Sequence, residues 1–139
     1  MILLDTNVIS ALMRRDPEPA VVEWLDGQPS ESIWTTSVTV LEVRTGLPLL
    51  ASGRRRHALE RAFDALLSKE LEGRIQSFDT AAANAAGEIA AERQAAGRPV
   101  EIRDVQIAGI AKARRAQLAT RNTRHFSDLG IELIDPWSD

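Results

Sequence analysis

Apolar and polar positions along this chain come in blocks, and each block has its own rhythm. The first, Ile2-Leu3-Leu4, is a short unbroken apolar run that stops at Asp5. Such a run reads as a parallel strand buried on both faces. Thr6 and Asn7 are helix-capping residue types, and Val8 and Ile9 after them suit a helix start. The chain thus opens strand, acid, helix. Open α/β sheets place their sites at the carboxyl ends of strands. A carboxylate there needs a cation, a metal or a cage of hydrogen bonds, because burying it unpaired is costly.

The same reading continues down the chain. Val21, Val22, Trp24 and Leu25 fall at helical spacing between Pro19 and Gly27. Ile33-Trp34-Thr35-Thr36 predicts a short strand. Ser37 is the predicted cap of a helix with Val38, Leu41 and Leu49 among its apolar positions, and Pro48 predicts a kink or early end. Leu59, Ala62, Phe63, Leu66 and Leu67 follow the stripe of an amphipathic helix. Arg74 to Phe78 predicts a strand. Asp79 predicts the cap of a long alanine-rich helix to about Ala96, closed by Gly97 and Pro99, with Ala82, Ala86 and Ala90 suited to close packing. Asp104 is expected to open another helix, with Ile107, Ala108 and Ala111 toward the core. Gln117 to Thr120 and an edge-like Ile131 to Ile134 are the last strands. Short strands alternating with helices predict an α/β domain over residues 1–139 with a mainly parallel sheet. The strand order stays open.

Composition narrows the function. With 44% hydrophobic and 27% charged residues, the 139-residue chain has ordinary globular values. It has no cysteine, which excludes disulfides, zinc–thiolate sites and a thiol nucleophile. The apolar runs are too short to span a bilayer, and the N-terminus lacks the basic start of a signal peptide, so the expected location is the cytoplasm. A net charge of -3 is not that of a chain that holds nucleic acid by bulk positive charge. Any such contact must come from local arginines, and Arg54 to Arg56 and the Arg121 to Arg124 stretch are the clusters on offer. Their plain reading is solvated surface.

Three acids stand out by position. Asp5 ends the first strand, Glu42 lies within the otherwise apolar Val38 to Val43, and Asp104 follows the Pro99 turn. Each has a structural explanation alone: Asp104 suits a helix N-terminus, and Glu42 could point outward or pair with an arginine. Together they suggest a hard oxygen-ligand set for Mg²⁺ or Mn²⁺. Gathered without a cation they would repel one another. The two histidines, His57 and His125, lie beside arginines and read as surface or substrate-adjacent. No glycine-rich phosphate loop follows the first strand, which argues against a nucleotide-binding protein.

Four stretches then resemble one family in order and spacing: Asp5-Thr6-Asn7, Thr39-x-x-Glu42-x-x-x-Gly46, Asp104-x-x-Ile107-Ala108, and Thr120-Arg121-Asn122-x-x-His125-Phe126. The chain resembles a PIN domain and, more narrowly, the VapC and FitB toxins of bacterial toxin–antitoxin pairs. Asp135-Pro136-Trp137 resembles the end common among FitB-like members, so the resemblance runs from Met1 to about Trp137. It implies a three-layer α/β/α sandwich and a Mg²⁺- or Mn²⁺-dependent endoribonuclease that acts on structured or single-stranded RNA, leaving a 5′-phosphate and a 3′-hydroxyl. Carried over residue by residue, Asp5, Glu42 and Asp104 match the shared catalytic and metal-binding acids. Thr120 matches a small hydroxyl residue that helps hold the site, with Thr6 and Asn7 in support. At the fourth acid many members carry Asp, and this chain has Asn122, which keeps an oxygen ligand but loses a charge. That departure bears on a second metal site, and Asp128 is the nearest acid that could compensate. Arg121 and Arg124 are the candidates for RNA contact.

The resemblance further implies a homodimer held inactive by a cognate antitoxin, with operator DNA bound only through that antitoxin. Val8, Ile9, Leu12, Leu47, Leu49 and Leu50 are the apolar residues expected to form a groove for it. The alternative is a catalytically weak PIN-like module that acts by binding RNA or a protein partner. An aspartyl-phosphate phosphatase also carries Asp after its first strand, but it needs a second acid where this chain has Asn7.

Overall fold

The computed structural model describes residues 1–138; Asp139, the last residue of the expected domain, lies outside them. Five strands, β1 (Ile2–Leu4), β2 (Ile33–Thr36), β3 (Ile75–Gln76), β4 (Gln117–Ala119) and β5 (Glu132–Ile134), form one sheet in the order β3-β2-β1-β4-β5. Every pairing is parallel, and β1 is central, with Ile2 opposite both Ile33 and Gln117. The chain builds the sheet in one direction from β1, then crosses back to the other side for β4 and β5. Asp5 stands at that crossover.

The apolar run of β1 explains the layers. Successive side chains of a strand point to opposite faces. Ile2 and Leu4 pack with α1 (Thr6–Met13), α2 (Pro19–Asp26) and α4 (Arg54–Ala65), through Val8, Val21 and Phe63. Leu3 packs on the other face with α5 (Thr80–Ala95) and α6 (Ile102–Arg114), through Ala86 and Ile107. The third helix, α3 (Ser37–Gly46), gives Val43 to one layer and Val38 to the other. The short α7 (Thr123–Phe126) plants Phe126 in the second. The expected α/β sandwich is present.

Several local expectations shift by a residue, for physical reasons. Thr36, not Ser37, caps α3 by accepting from the Thr39 N–H at 3.1 Å. Ser37 Oγ instead accepts from the Phe78 N–H at 3.0 Å, which ties the exit of β3 to α3. The helix ends at Gly46, and Pro48 sits in a 3₁₀ turn, Leu47–Leu49, which leaves Leu49 81% exposed; Leu41, within the helix, lies on its outer face and is 55% exposed. The strand expected over Arg74 to Phe78 shortens to Ile75–Gln76. Next to it, the Arg74 guanidinium donates to the carbonyls of Ile33, Ser30 and Glu70.

The alanine-rich face of α5 does pack closely, and Gly109 of α6 shows how closely. A Cβ at Gly109 would lie 2.5 Å from the Ala82 carbonyl oxygen and 2.6 Å from Ala86 Cβ. Both neighbours are short and fixed, so the helices would have to part. Gly109→Ala should therefore destabilise the fold by about 1–3 kcal/mol, the cost of overpacking, despite alanine's better helix propensity. Urea unfolding of the two proteins measures it; an unchanged or higher midpoint would show that the helices are not in this contact.

Candidate active site

The site grows from the carboxyl ends of β1 and β4, the two strands that flank the crossover. Asp5 follows β1 and is only 6% exposed. Its backbone N–H donates to the Ala119 carbonyl at 3.0 Å, which extends the β1–β4 pairing by one step. Asp5 is itself the N-cap of α1, a place expected for Thr6 or Asn7: its Oδ1 accepts from the Thr6 N–H at 2.8 Å. Its Oδ2 accepts from the Thr120 hydroxyl at 2.8 Å and from Asn7 Nδ2 at 3.5 Å. Thr120 is fully buried, and its oxygen in turn accepts from Asn7 Nδ2 at 3.3 Å and from the Asn122 N–H at 3.0 Å. Asn7 closes the loop, since its Oδ1 accepts from the Arg121 N–H at 3.1 Å. Asp5, Asn7 and Thr120 thus form one network.

Asp104 reaches the same place by a different route. The expected role for it was helix cap, but α6 starts earlier, at Ile102, and Glu101 is the cap. The Glu101 carboxylate accepts from the N–H groups of Arg103 and Asp104, at 2.9 and 3.2 Å. That frees the Asp104 side chain, which points to His125: Nδ1 of His125 is 3.2 Å from Asp104 Oδ2. Glu42 comes from α3, half-buried.

The three acids act on one another through their charges. Burial raises the Glu42 pKa, and the charges of Asp5 and Asp104 raise it further, against Arg103. The Thr6 hydroxyl faces Glu42 and works in the same lowering sense as Arg103, without closing a hydrogen bond: its oxygen is buried and has no partner. Asp104 is raised by burial and by Asp5 and Glu101, against His125. Asp5 is raised by burial, which outweighs the hydrogen bonds from Thr120 and Thr6 and the charge of His125. Among the described residues no group of three or more Asp, Glu, His or Cys side chains converges to metal-ligand geometry. Hard oxygen donors, incompletely compensated charge and an orphaned hydroxyl nonetheless fit a hydrated divalent cation.

The remaining expected residues divide. Arg121 is held twice, by its N–H on Asn7 and by its guanidinium 4.9 Å from the Trp137 ring centroid. It lines a cavity of about 730 Å³ with Thr6, Asn7, Glu42 and Trp137. Arg124 is exposed on α7 without an ion pair among the described residues. Asn122 contributes its backbone N–H rather than a side-chain contact. Asp128 is exposed, in a left-handed turn after α7, and is not among the charges that the three acids feel. Arg103 escaped the sequence reading, and His125 was read only as surface or substrate-adjacent. Arg103 was hidden by the mistaken helix start, and His125 by its arginine neighbours, although it stands within the Thr120 to Phe126 motif.

Comparison with known proteins gives the family. The PIN domain family model matches residues 2–132. The chain belongs to the PIN domain family. It is 40% identical to the plasmid stability protein StbB of Pseudomonas syringae pv. tomato, over 99% of each chain. It is 35% identical to the VapC ribonuclease Y4jK of Sinorhizobium fredii, over 99% of this chain and 98% of that one. The solved structure of FitAB bound to an IR36 DNA fragment superposes with a TM-score of 0.88 at 34% identity, covering 99% of this chain and 96% of that one. Within the PIN family the chain is a VapC/FitB-type toxin of a toxin–antitoxin system.

The raised pKa of Asp5 predicts how this PIN domain responds to pH without metal. Between the ordinary carboxylate range and the raised folded value, the folded state binds more protons than the unfolded state. Stability then falls as pH rises through that window. Asp5→Asn removes the penalty while keeping an acceptor for Thr6. In EDTA at neutral pH its melting temperature should be a few degrees above the parent's, and the gap should shrink as the pH falls through the same window. A variant melting well below the parent at neutral pH would mean that the carboxylate is fully compensated in the metal-free fold.

Proposed function

We propose that this protein is a Mg²⁺- or Mn²⁺-dependent endoribonuclease, the toxin of its pair, with Asp5, Glu42 and Asp104 as its metal-binding and catalytic acids. The observation that carries the reading is that three carboxylates from three distant segments, at a strand crossover, are each raised in pKa and feel one another's charge, with Glu42 beside the unpartnered buried hydroxyl of Thr6. The similarity to a VapC ribonuclease supports the same activity.

A bound divalent ion would supply Lewis acidity, making a water nucleophilic and offsetting charge that develops on the phosphodiester. The protein does the rest. Thr120 and Thr6 hold Asp5 by two short hydrogen bonds, so its oxygens are preset. Asn7 locks Thr120 and the Arg121 backbone to the same frame. The Arg121 guanidinium, steadied on Trp137, is placed to hold an RNA phosphate beside the acids, and Arg124 offers a second, freer contact. Single-stranded or loop RNA suits so open a site. Asn122 in place of a fourth acid favours one metal ion over two.

Asp5→Asn and Asp104→Asn should each cut RNA cleavage on the order of 100-fold or more, the scale for losing a key electrostatic group, and relieve growth inhibition, with the fold retained by circular dichroism. Full toxicity in either variant at equal expression would remove that residue from catalysis. Asn122→Asp should lower the Mn²⁺ concentration for half-maximal activity; no change would mean that this position does not limit metal binding.

The proposal extends to partners: a homodimer, an antitoxin encoded beside it, and operator DNA bound through that antitoxin. The first and third helices give less free apolar surface than their sequences suggest. Val8, Ile9 and Leu47 are core, Leu12 is partly buried, and Leu49 and Leu50 remain exposed. Leu47 and Leu50 still line the cavity beside Glu42 and Arg121, and an antitoxin segment with apolar residues and an arginine would suit it. Co-expression should yield an inactive complex that shifts operator DNA on a gel. Tight, sequence-specific binding by the isolated chain would overturn this division of labour. No helix of the described residues is long and apolar enough to cross a membrane.

A further inference from the structure

The three acids differ in how they are held. Asp5 is fixed by Thr6, Thr120 and Asn7, and Glu42 has no hydrogen-bond partner among the described residues. Asp104 has a close partner instead, the Nδ1 of His125, 3.2 Å from Oδ2. We propose that His125 is a positioning residue for Asp104: it pins one carboxylate oxygen and leaves the other to face the cation shared with Asp5 and Glu42. The inference rests on the metal-dependent reading above.

Three observations support a role beyond surface decoration. The His125 side chain is 58% exposed, so packing does not demand it, whereas that of Asp104 is only 21% exposed. The short helix that carries it is anchored: the neighbouring Phe126 is buried in the core, and the His125 N–H donates to the Asn122 carbonyl at 3.0 Å. The same seven residues, 120–126, supply Thr120 to Asp5 and His125 to Asp104, so one segment sets two of the three acids. A carboxylate only accepts, so the contact calls for the hydrogen on Nδ1, the nitrogen that faces it. Partners of this kind commonly alter metal affinity by 10- to 100-fold.

Asparagine tests the geometry, because its Nδ2 occupies nearly the position of the histidine Nδ1. Titrate Mn²⁺ calorimetrically into the parent, His125→Ala, His125→Asn and, as the control for a lost ligand, Asp104→Asn. The expected result is about tenfold weaker binding in His125→Ala, recovery of most of it in His125→Asn, and an unchanged melting temperature in EDTA for both. Cleavage should follow: His125→Ala should need more Mn²⁺ for half-maximal rate, with kcat at saturating Mn²⁺ and KM for RNA near the parent's. Equal Mn²⁺ affinity in parent and His125→Ala overturns this inference and leaves the metal-dependent reading intact. So does a kcat loss at saturating Mn²⁺ without Asn rescue, which would assign His125 to the reacting atoms instead. A parent that binds no Mn²⁺ overturns both.

Discussion

A carboxylate is buried where the central strand of the sheet ends, and much of the site is organised around keeping it there. Asp5 must cap α1 and accept from Thr120 at once, so the first helix, the fourth strand and the loop after it are locked to one point. Each short hydrogen bond to a charged acceptor contributes about 1.5–3 kcal/mol. The effective penalty for taking an ion out of water is several kcal/mol. The two are close in size, and the raised pKa of Asp5 says that the bonds fall short. Glu42 and Asp104 add like charge to that deficit rather than relieving it. Under the proposed function a bound cation would relieve that repulsion, so stability and chemistry would draw on the same three residues.

The frame was legible in the sequence because it rests on short-range patterns. An unbroken apolar run predicted β1, a 3.6-residue stripe predicted α4, and Asp79 predicted its own role as a cap, accepting from the Ala82 N–H at 3.0 Å. The strand order was not legible, since it depends on which long-range pairings best bury both faces. Cap positions slipped by one to three residues where neighbouring residues compete for the same job, as Thr36 does with Ser37 and Glu101 with Asp104. That second slip matters for function. With Glu101 bonding the free N–H groups of α6, the carboxylate of Asp104 is available to the site.

The three acids were picked out by position, and Thr120, Thr6 and Asn7 were named as supports through the resemblance, but two further neighbours were not. Arg103 and His125 act through space on residues far away in sequence, and no periodicity announces such a contact. His125 illustrates the problem well. Flanked by Arg124 and near Arg121, it has the look of surface charge, and it is indeed more than half exposed. Only the fold brings it against Asp104. Arg121 shows the converse, because its place beside the site was legible and its restraint by Trp137, sixteen positions on, was not.

The central claim is that Asp5, Glu42 and Asp104 share one divalent cation. Anomalous diffraction at the manganese edge, from crystals of the free protein soaked in Mn²⁺, tests it without reference to any substrate. A single strong peak is expected at the carboxyl ends of β1 and β4, bounded by those three carboxylates. No peak at millimolar Mn²⁺, or a peak elsewhere with this cluster empty, would contradict it.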